Sequence, residues 1–394
     1  MNNYKIRLKK NIPLFYAVNF LSFLIFFVPI WVAYERQFIT FTQMSLISAS
    51  RFALTAFLEL PTGALADLIG RKYSVMLGFL VEAFGLIIIA QALNANYIII
   101  AAIFRGVGDA LRSGADTALI YDSLLERNNE KDFSKIMSTN NLFTQAGLIV
   151  SSILAGYLFD LYKPLPYLVY SICLILAAII TLIMQEPKID TEKFTLKNYI
   201  EQTKIGIRET LANSYVKKLT LFYSLVGGLT WSTQIFLNQI YASSIGYTEL
   251  GKSWLFAIIR FINSFIIIKL LRIDKFIDKF GAFLFFPLII IISTLPAIIS
   301  DKTMGTILLF TMTISSTLRF IILDKVTNKE FRSKYRATAV STLNLYVSLV
   351  YILIVSLSGT IIDNLGTGSL YTILGILSLL IILPIGLSLH NKTQ

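Results

Sequence analysis

Four charged residues lie at helical spacing inside one long apolar stretch of the chain. Arg105, Asp109, Arg112 and Asp116 follow each other at intervals of four, three and four positions, so a continuous α-helix would stack them along one face. Charged groups at membrane depth are costly and face a bundle interior or a watery cavity. The alternating signs leave two interpretations open: a salt-bridged seam between helices, or proton exchange at Asp109 or Asp116 under the influence of the arginines.

Other acidic residues inside apolar runs are further candidates. Glu59 and Glu82 could each bind a proton or a cationic group, or pair with an arginine. Glu35, beside Arg36, is expected at the membrane interface. The acids of the second half fall at the edges of the predicted spans, so we expect any coupling carboxylate to come from the first half; these edge residues are Asp274, Asp301, Asp324 and Asp363.

Two arginines recur at corresponding places in the two halves of the chain, as Arg51-Phe52 and Arg260-Phe261. A pair of cations facing one cavity would suit an anionic or zwitterionic substrate. The alternative is separate pairing with acids such as Glu35, or lining of an outer vestibule. Polar residues of later spans are candidates to line the same cavity: Trp231, Gln234, Asn238, Asn344 and Tyr346.

The apolar composition indicates which elements position these residues. Hydrophobic residues make up 55% of the chain and charged residues 15%, with a mean hydropathy of +0.70. A soluble fold of this length could not hide so much apolar surface. Apolar runs of about 20 residues predict membrane-spanning helices. We assign twelve, at about 12–34, 43–65, 73–93, 97–124, 137–160, 165–186, 219–243, 254–271, 282–300, 304–323, 337–362 and 367–389.

Positive charge is distributed unevenly between the two sides of this predicted membrane protein. Most of the 35 lysine and arginine residues fall in segments on the side of the N-terminus. The loops on the opposite side hold only Arg36, Lys163, Lys252 and Lys302. This bias predicts that both termini lie in the cytoplasm. The net charge of +12 is therefore a topology signal and does not indicate a nucleic-acid partner.

The two halves of the sequence also resemble each other. The pattern from Ser138 to Asp160 recurs from Ser341 to Asp363, and Asp67-x-x-Gly70 recurs as Asp278-x-x-Gly281. Such repeats place a substrate route between the halves. We predict an all-α membrane protein with twelve transmembrane helices in two pseudo-symmetric six-helix bundles.

The bundles are predicted to comprise residues 1–186 and 219–394. Residues 187–218 form a cytoplasmic linker. Part of this linker is either an amphipathic helix on the inner leaflet or solvated chain.

A compact charged turn joins the second and third predicted spans and reads Gly63-x-x-x-Asp67-x-x-Gly70-Arg71-Lys72. Gly63 would let the end of the helix pack closely against a neighbour, and Gly70 would permit the tight reversal. Asp67 lies four residues before Arg71, close enough for an ion pair.

This turn resembles the signature loop of the major facilitator superfamily of secondary transporters. The resemblance implies that Asp67 and Arg71 form a cytoplasmic latch with an acid at the end of the fourth span, here Asp122, and that Asp67 faces the positive N-terminus of the eleventh. Arg105 resembles the arginine linked to proton handling in the family's drug/proton antiporters. The fifth span, however, lacks the glycine–proline pattern that those antiporters carry.

No phosphate-binding loop, metal-ligand spacing or nucleophile–base arrangement is present, so we predict no enzyme, cofactor or metal. The predicted function is secondary active transport of a small amphipathic molecule across the bacterial cytoplasmic membrane by alternating access, through proton-coupled efflux. The alternatives are uptake or exchange of an organic anion bound at Arg51 and Arg260, and a non-transporting membrane sensor with the same fold. We expect a monomer whose partners are the substrate, protons and the lipid bilayer.

Overall fold

The computed structural model describes residues 2–188, 196–270, 281–332 and 335–391. In these ranges the chain is helical and has no β-strand, which confirms the predicted all-α membrane fold. The helices of the first half are α1 (Asn2–Ser22), α2 (Trp31–Glu35), α3 (Phe41–Ile69), α4 (Arg71–Ala90), α5 (Ala95–Arg112), α6 (Ala115–Leu125), α7 (Phe133–Leu161) and α8 (Leu165–Ile183). Those that follow are α9 (Leu196–Thr210), α10 (Ser214–Ser232), α11 (Asn238–Ser244), α12 (Glu249–Leu270), α13 (Ala282–Thr294), α14 (Lys302–Glu330), α15 (Arg336–Leu365), α16 (Thr367–Leu377) and α17 (Leu383–His390).

Seven helices in the described part of the chain are long and apolar enough to cross a membrane, and α3 adds an eighth if its two arms count as one span. The arms of α3 meet at an angle of 50° beside Pro61, where the ring removes a backbone donor. The total of twelve spans stays a prediction. Several of the remaining predicted spans are interrupted, which shortens each regular apolar helix.

The first predicted span shows such an interruption. A single helix over about 12–34 was expected, but α1 ends at Ser22 and the chain passes through turns before α2 begins. Asn19 and Ser22 donate side-chain hydrogen bonds to the carbonyls of Phe15 and Asn19, at 3.0 and 3.2 Å. Such bonds compete with regular helix hydrogen bonding, which gives a physical reason why the helix stops here.

Backbone packing divides the chain into two compact units. Unit 1 comprises residues 1–39, 50–196 and 249–257, and unit 2 comprises residues 40–49, 197–248 and 258–394. The first residues of α3 therefore belong to unit 2, and the first residues of α12 belong to unit 1. The division of the sequence at residues 187–218 stays a prediction.

In unit 1, α4 packs along α5 and α8. Helices in a membrane gain little from the hydrophobic effect and associate through close packing and hydrogen bonds. Gly78 and Gly108 provide that closeness, because a Cβ atom added to Gly108 would lie 2.7 Å from the Gly78 carbonyl oxygen. The Ser74 hydroxyl also donates to the Leu111 carbonyl at 2.7 Å. This crossing fixes the charged residues of α5 relative to α4.

In unit 2, α10 packs against α14 and α15, and α9 lies against the first turns of α15. A Cβ atom added to Gly206 of α9 would lie 3.0 Å from the Thr338 carbonyl oxygen and would collide with the Thr342 side chain. Glu209 forms an ion pair with Arg332, which lies between α14 and α15. The linker therefore contains a helix, and one face of that helix is held by unit 2.

Equivalent helix crossings occur in the two units, in agreement with the internal repeat. In unit 1, a Cβ atom added to Gly156 of α7 would lie 2.6 Å from the Cα atom of Leu250 on α12. In unit 2, a Cβ atom added to Gly359 of α15 would collide with the backbone of Phe41 on α3. Gly156 and Gly359 are matched in the sequence repeat, whereas Asp278 of the second repeat lies outside the described residues.

Candidate functional site

The turn between α3 and α4 brings two of the predicted latch residues into contact. Gly70 has a φ angle of +100°, a backbone conformation that favours glycine. The Arg71 side chain forms an ion pair with the buried carboxylate of Asp122 at the end of α6. Asp67 is exposed near the end of α3. The pairing of Arg71 with Asp122 has the arrangement that the family resemblance implied, and its role as a latch stays a prediction.

Gly63 does not pack as expected. No described atom outside its own helix lies within 4 Å of the position that a Cβ atom would occupy. Gly63 follows the bend of α3 at Pro61. Within the described residues, no neighbouring helix makes the predicted close contact at this glycine.

The same turn is held by a carboxylate that the sequence analysis did not single out. Glu186, just after α8, accepts hydrogen bonds from the backbone N–H groups of Arg71 at 2.7 Å and Lys72 at 2.9 Å. In return, the Lys72 ammonium group donates to the carbonyls of Leu182 and Met184 at 3.3 and 3.2 Å. An anion thus caps the positive end of α4, and a cation caps the negative end of α8.

A series of ion pairs lies inside unit 1, and we call its members Arg51, Glu82, Asp109 and Arg112 the charge network. One oxygen of Asp109 lies 2.7 Å from Arg51 Nη1, and the other lies 2.8 Å from Arg112 Nη2. Arg112 Nη2 also lies 2.5 Å from Glu82 Oε2. The Glu82 side chain is 6% exposed, whereas that of Asp109 is 30% exposed. Two guanidinium groups therefore share a carboxylate that solvent can reach.

Arg105 lies one helical turn before Asp109 and has different surroundings. Its guanidinium group lies 4.6 Å from the ring centroid of Phe27, a distance that allows a cation–π interaction. Glu35 is close enough to interact electrostatically with Arg105 and is buried. The break after α1 and the short helix α2 carry Glu35 into unit 1, and its position at the level of the membrane interface stays a prediction.

Asp116 and Glu59 make separate contacts. The predicted continuous helix is broken at Gly114, which has a φ angle of +75°, and Asp116 lies in the first turn of α6. Its carboxylate accepts a hydrogen bond from the Thr117 backbone N–H at 2.6 Å. Glu59 accepts one from the Ser113 hydroxyl at 2.8 Å. The prediction that all four charges share one helical face was wrong for Asp116, because the turn ends the regular helix.

Two of the predicted cavity residues contact neighbouring helices within unit 2. The ring of Trp231 packs against Tyr351, with centroids 4.9 Å apart. The Gln234 side-chain carbonyl accepts a hydrogen bond from the Ser316 hydroxyl at 2.5 Å. Both residues are half-buried, so part of each side chain can still contact a ligand.

The next three predicted residues differ in their exposure. Asn238 is buried, and its side-chain carbonyl accepts a hydrogen bond from Tyr371 at 2.9 Å. Asn344 is exposed, and Tyr346 is half-buried with its hydroxyl 3.5 Å from that of Thr210. The hydrogen bond of Asn238 gives it a helix-packing role in unit 2.

The two recurrent arginines belong to different units. Arg51 lies in unit 1 and is paired with Asp109. Arg260 lies in unit 2, and its Nε atom is buried without a hydrogen-bond partner among the described residues. A common anion site for these two residues stays a prediction.

Asp324 of unit 2 lies on a helix that extends beyond its predicted span. The tenth span was predicted to end at about residue 323, but α14 continues to Glu330 and therefore includes Asp324. The buried Tyr223 of α10 donates its hydroxyl hydrogen to Asp324 Oδ1 at 2.6 Å. The assignment of Asp324 to the edge of a membrane span stays a prediction.

The fold and the charges can now be compared with known proteins. A sequence model of the Major Facilitator Superfamily matches residues 14–353. The chain belongs to the major facilitator superfamily. The family predicted from the Gly63–Lys72 turn is thereby confirmed.

Two relatives of this superfamily member are similar in sequence. The uncharacterized MFS-type transporter YxaM of Bacillus subtilis (strain 168) is 26% identical over 260 residues, which are 64% of this chain and 63% of the relative. The probable nitrate transporter NarT of Staphylococcus carnosus (strain TM300) is 32% identical over 81 residues, which are 21% of each chain. The chain thus matches less than two thirds of the length of either relative.

Solved structures of transporters share the fold. A variant of the nucleoside transporter NupG superposes with a TM-score of 0.77 at 14% identity, covering 95% of this chain and 98% of that one. The peptide-family transporter PepTSo gives a TM-score of 0.73 at 11% identity, covering 97% and 99%. At these identities the likeness concerns the fold alone.

Proposed function

We propose that this chain is a secondary active transporter that moves a small amphipathic molecule across the bacterial cytoplasmic membrane by alternating access. Both termini lie in the cytoplasm, and transport is coupled to protons, with Asp109 as the proton carrier. Export in exchange for protons is the leading form of the proposal. Membership of a superfamily of transporters and the internal repeat support the transport activity.

The observation that carries the proton proposal is the position of Asp109 between Arg51 and Arg112, at 2.7 and 2.8 Å. Protonation would remove the negative charge that both guanidinium groups share. Arg112 would keep its contact with Glu82, whereas Arg51 would lose the partner seen in the charge network. A single proton on Asp109 would therefore release α3 from α5 at this point.

The exposed fraction of the Asp109 side chain bears on its proposed role as the proton carrier. A carboxylate that exchanges protons needs access to water, and the Asp109 side chain is 30% exposed. Glu82 is largely enclosed and contacts the guanidinium group of Arg112 directly, so its carboxylate is less accessible than that of Asp109. We therefore assign exchange to Asp109 and a positioning role to Glu82.

The experiment is transport in proteoliposomes with an imposed pH gradient, using ethidium, uridine and nitrate as cationic, neutral and anionic probes. We expect at least one probe to follow the gradient in the wild type. Asp109→Asn should abolish that response, while Asp116→Asn, the same change in the same predicted span but outside the charge network, should keep it. A full response in Asp109→Asn would reject the assignment.

Uptake or exchange of an anion is the second candidate, favoured by the stretch that is similar to the probable nitrate transporter. Arg260 has a buried Nε atom without a hydrogen-bond partner among the described residues, and a bound anion could accept this hydrogen bond. Arg51, once released from a protonated Asp109, could provide the second positive charge. Arg51→Gln and Arg260→Gln should then each lose nitrate flux, whereas export of ethidium by both variants would favour the first candidate.

A further inference from the structure

A group of three side chains in unit 2, the buried Tyr223 and Arg319 and the half-buried Asp324, is not used by the proposed function. Asp324 of α14 accepts a hydrogen bond from the Tyr223 hydroxyl of α10 at 2.6 Å. The Arg319 guanidinium group lies 5.7 Å from the Tyr223 ring centroid. Arg319 is 2% exposed and Tyr223 is 3% exposed, so the group lies between packed helices.

Space for the guanidinium group is provided by a glycine. Gly227 lies one turn after Tyr223 on α10, and a Cβ atom added there would be 2.9 Å from Arg319 Nη1. Any side chain at this position would compete with the charged group for the same volume. The backbone of α10 therefore accommodates a buried cation where a larger residue would make an ordinary helix contact.

The chemistry of the group links the charge of Asp324 to that of Arg319. An arginine stays charged in proteins, and a buried charge is costly without a compensating partner. Among the described residues, Tyr223 and Arg319 are the groups that act electrostatically on Asp324. If Asp324 takes up a proton, the negative charge with which this side chain acts on Arg319 is lost.

A permanent ion pair between Arg319 and Asp324 would not require the Tyr223 hydroxyl, which is the hydrogen-bond partner of Asp324. A tyrosine hydroxyl can donate to an ionised carboxylate and can also accept from a protonated one. Tyr223 can therefore hydrogen-bond to Asp324 in both charge states without moving between helices. Unit 1 has a corresponding feature in Asp109, a half-buried carboxylate held by Arg51 and Arg112.

We propose that Asp324 is a second proton-exchanging carboxylate, located in unit 2, and that Tyr223 holds it while its charge balances that of Arg319. The inference rests on the proposed proton coupling for its role in transport. Its test does not need a transported substrate, because the ligand is the proton. Each unit would then contain one proton-exchanging carboxylate, Asp109 in unit 1 and Asp324 in unit 2.

The test is infrared difference spectroscopy of the full-length protein in nanodiscs of phosphatidylethanolamine and phosphatidylglycerol, titrated between about pH 5 and 8. We expect a carboxylic acid C=O band that appears on acidification, persists in Asp109→Asn and is absent from Asp324→Asn. Tyr223→Phe should shift the frequency and pH midpoint of this band, because the carboxyl group loses its hydrogen-bond partner. Identical titrations of the wild type and Asp324→Asn would overturn the proposal.

A double variant keeps the test valid if Asp324→Asn fails to fold with an uncompensated Arg319. Arg319→Gln/Asp324→Asn removes both charges, and we expect it to fold and to lack the same band. A band that persists in the double variant would overturn the proposal. If the band is assigned to Asp324 but no probe follows a pH gradient, the proposed function fails and proton exchange at Asp324 stands. If the gradient response depends on Asp109 but no band is assigned to Asp324, the proposed function stands and proton exchange at Asp324 is rejected.

Discussion

Glu186 and Lys72 cap each other's helices. The Glu186 carboxylate accepts hydrogen bonds from the first two backbone N–H groups of α4, at 2.7 and 2.9 Å, and the Lys72 ammonium group donates to the last carbonyls of α8. The charged turn after α3 is thus fixed from α8 as well as through the pairing of Arg71 with Asp122. The position of Arg71 depends on both contacts.

We expect Glu186→Ala to lower the free energy of unfolding by about 1 kcal/mol, the usual cost of removing a helix cap. The two N–H groups at the start of α4 would lose their acceptor, and the helix dipole would lose a compensating anion. Thermal or denaturant unfolding in a fixed detergent measures the change. Glu130→Ala, at an exposed residue, is the matched control, and equal stability of the two variants would argue against a capping role.

Gly70 and Gly63 should respond oppositely to alanine. Gly70→Ala places a side chain in a left-handed backbone conformation, 3.2 Å from the Glu186 carboxyl carbon, and should destabilise the protein by about 1–2 kcal/mol. Gly63→Ala meets no described atom within 4 Å and should be neutral or stabilising by up to about 1 kcal/mol, since alanine favours the helix. The unfolding midpoints of the two variants check this order, and a more stable Gly70→Ala would contradict it.

The pair of Glu82 and Arg112 should show strong coupling between its members. Arg112→Gln leaves a carboxylate that is only 6% exposed without its direct partner, and should cost about 3–5 kcal/mol of stability. The double variant Glu82→Gln/Arg112→Gln removes both charges and should be closer to the wild type. A double-mutant cycle of unfolding free energies measures this coupling. Additive losses would mean that the two residues act independently.

The contact of α9 with unit 2 should weaken in acid. The hydrogen bond from Arg332 lowers the pKa of Glu209 below its ordinary value. A carboxylate with a lowered folded-state pKa stabilises the native state above its unfolded pKa of about 4.3, and this stabilisation is lost as the pH falls through the folded-state value. Hydrogen exchange of α9 should therefore increase below about pH 4, and Arg332→Gln should show the faster exchange already at neutral pH. Unchanged exchange in that variant would contradict the prediction.

Much of the fold follows from features that the sequence carries locally. Long apolar runs predict helices such as α7 and α15 without reference to neighbours. The contact between Asp109 and Arg112 is likewise local, because residues three apart on one helix lie close together. The pairing of Arg112 with Glu82 is not local in the sequence, because it requires the packing of α4 against α5.

The errors in the sequence analysis arise where tertiary contacts or single backbone angles decide the outcome. Gly114 could have continued the helix, but its φ angle of +75° and the non-helical backbone of Ser113 separate Asp116 from the preceding charges. The burial of Glu35 within unit 1 was not predicted, because the break after α1 is not evident from the apolar run. Glu186 gave no signal of its own, because a cap on a distant helix is recognisable only once α8 and α4 lie side by side.

The contacts around Glu186 also indicate where the chain could be divided into two separately expressed fragments. Glu186 holds α4, and the backbone N–H of Lys188 donates to Glu126, so the residues up to Lys188 complete the first of two fragments. Residues 197–210 belong with the second fragment, because Gly206 and Glu209 contact α15 and Arg332 within unit 2. Co-expression of two separate polypeptides should thus tolerate a cut directly after Lys188, whereas a cut before Glu186 would leave the first polypeptide with an open helix end.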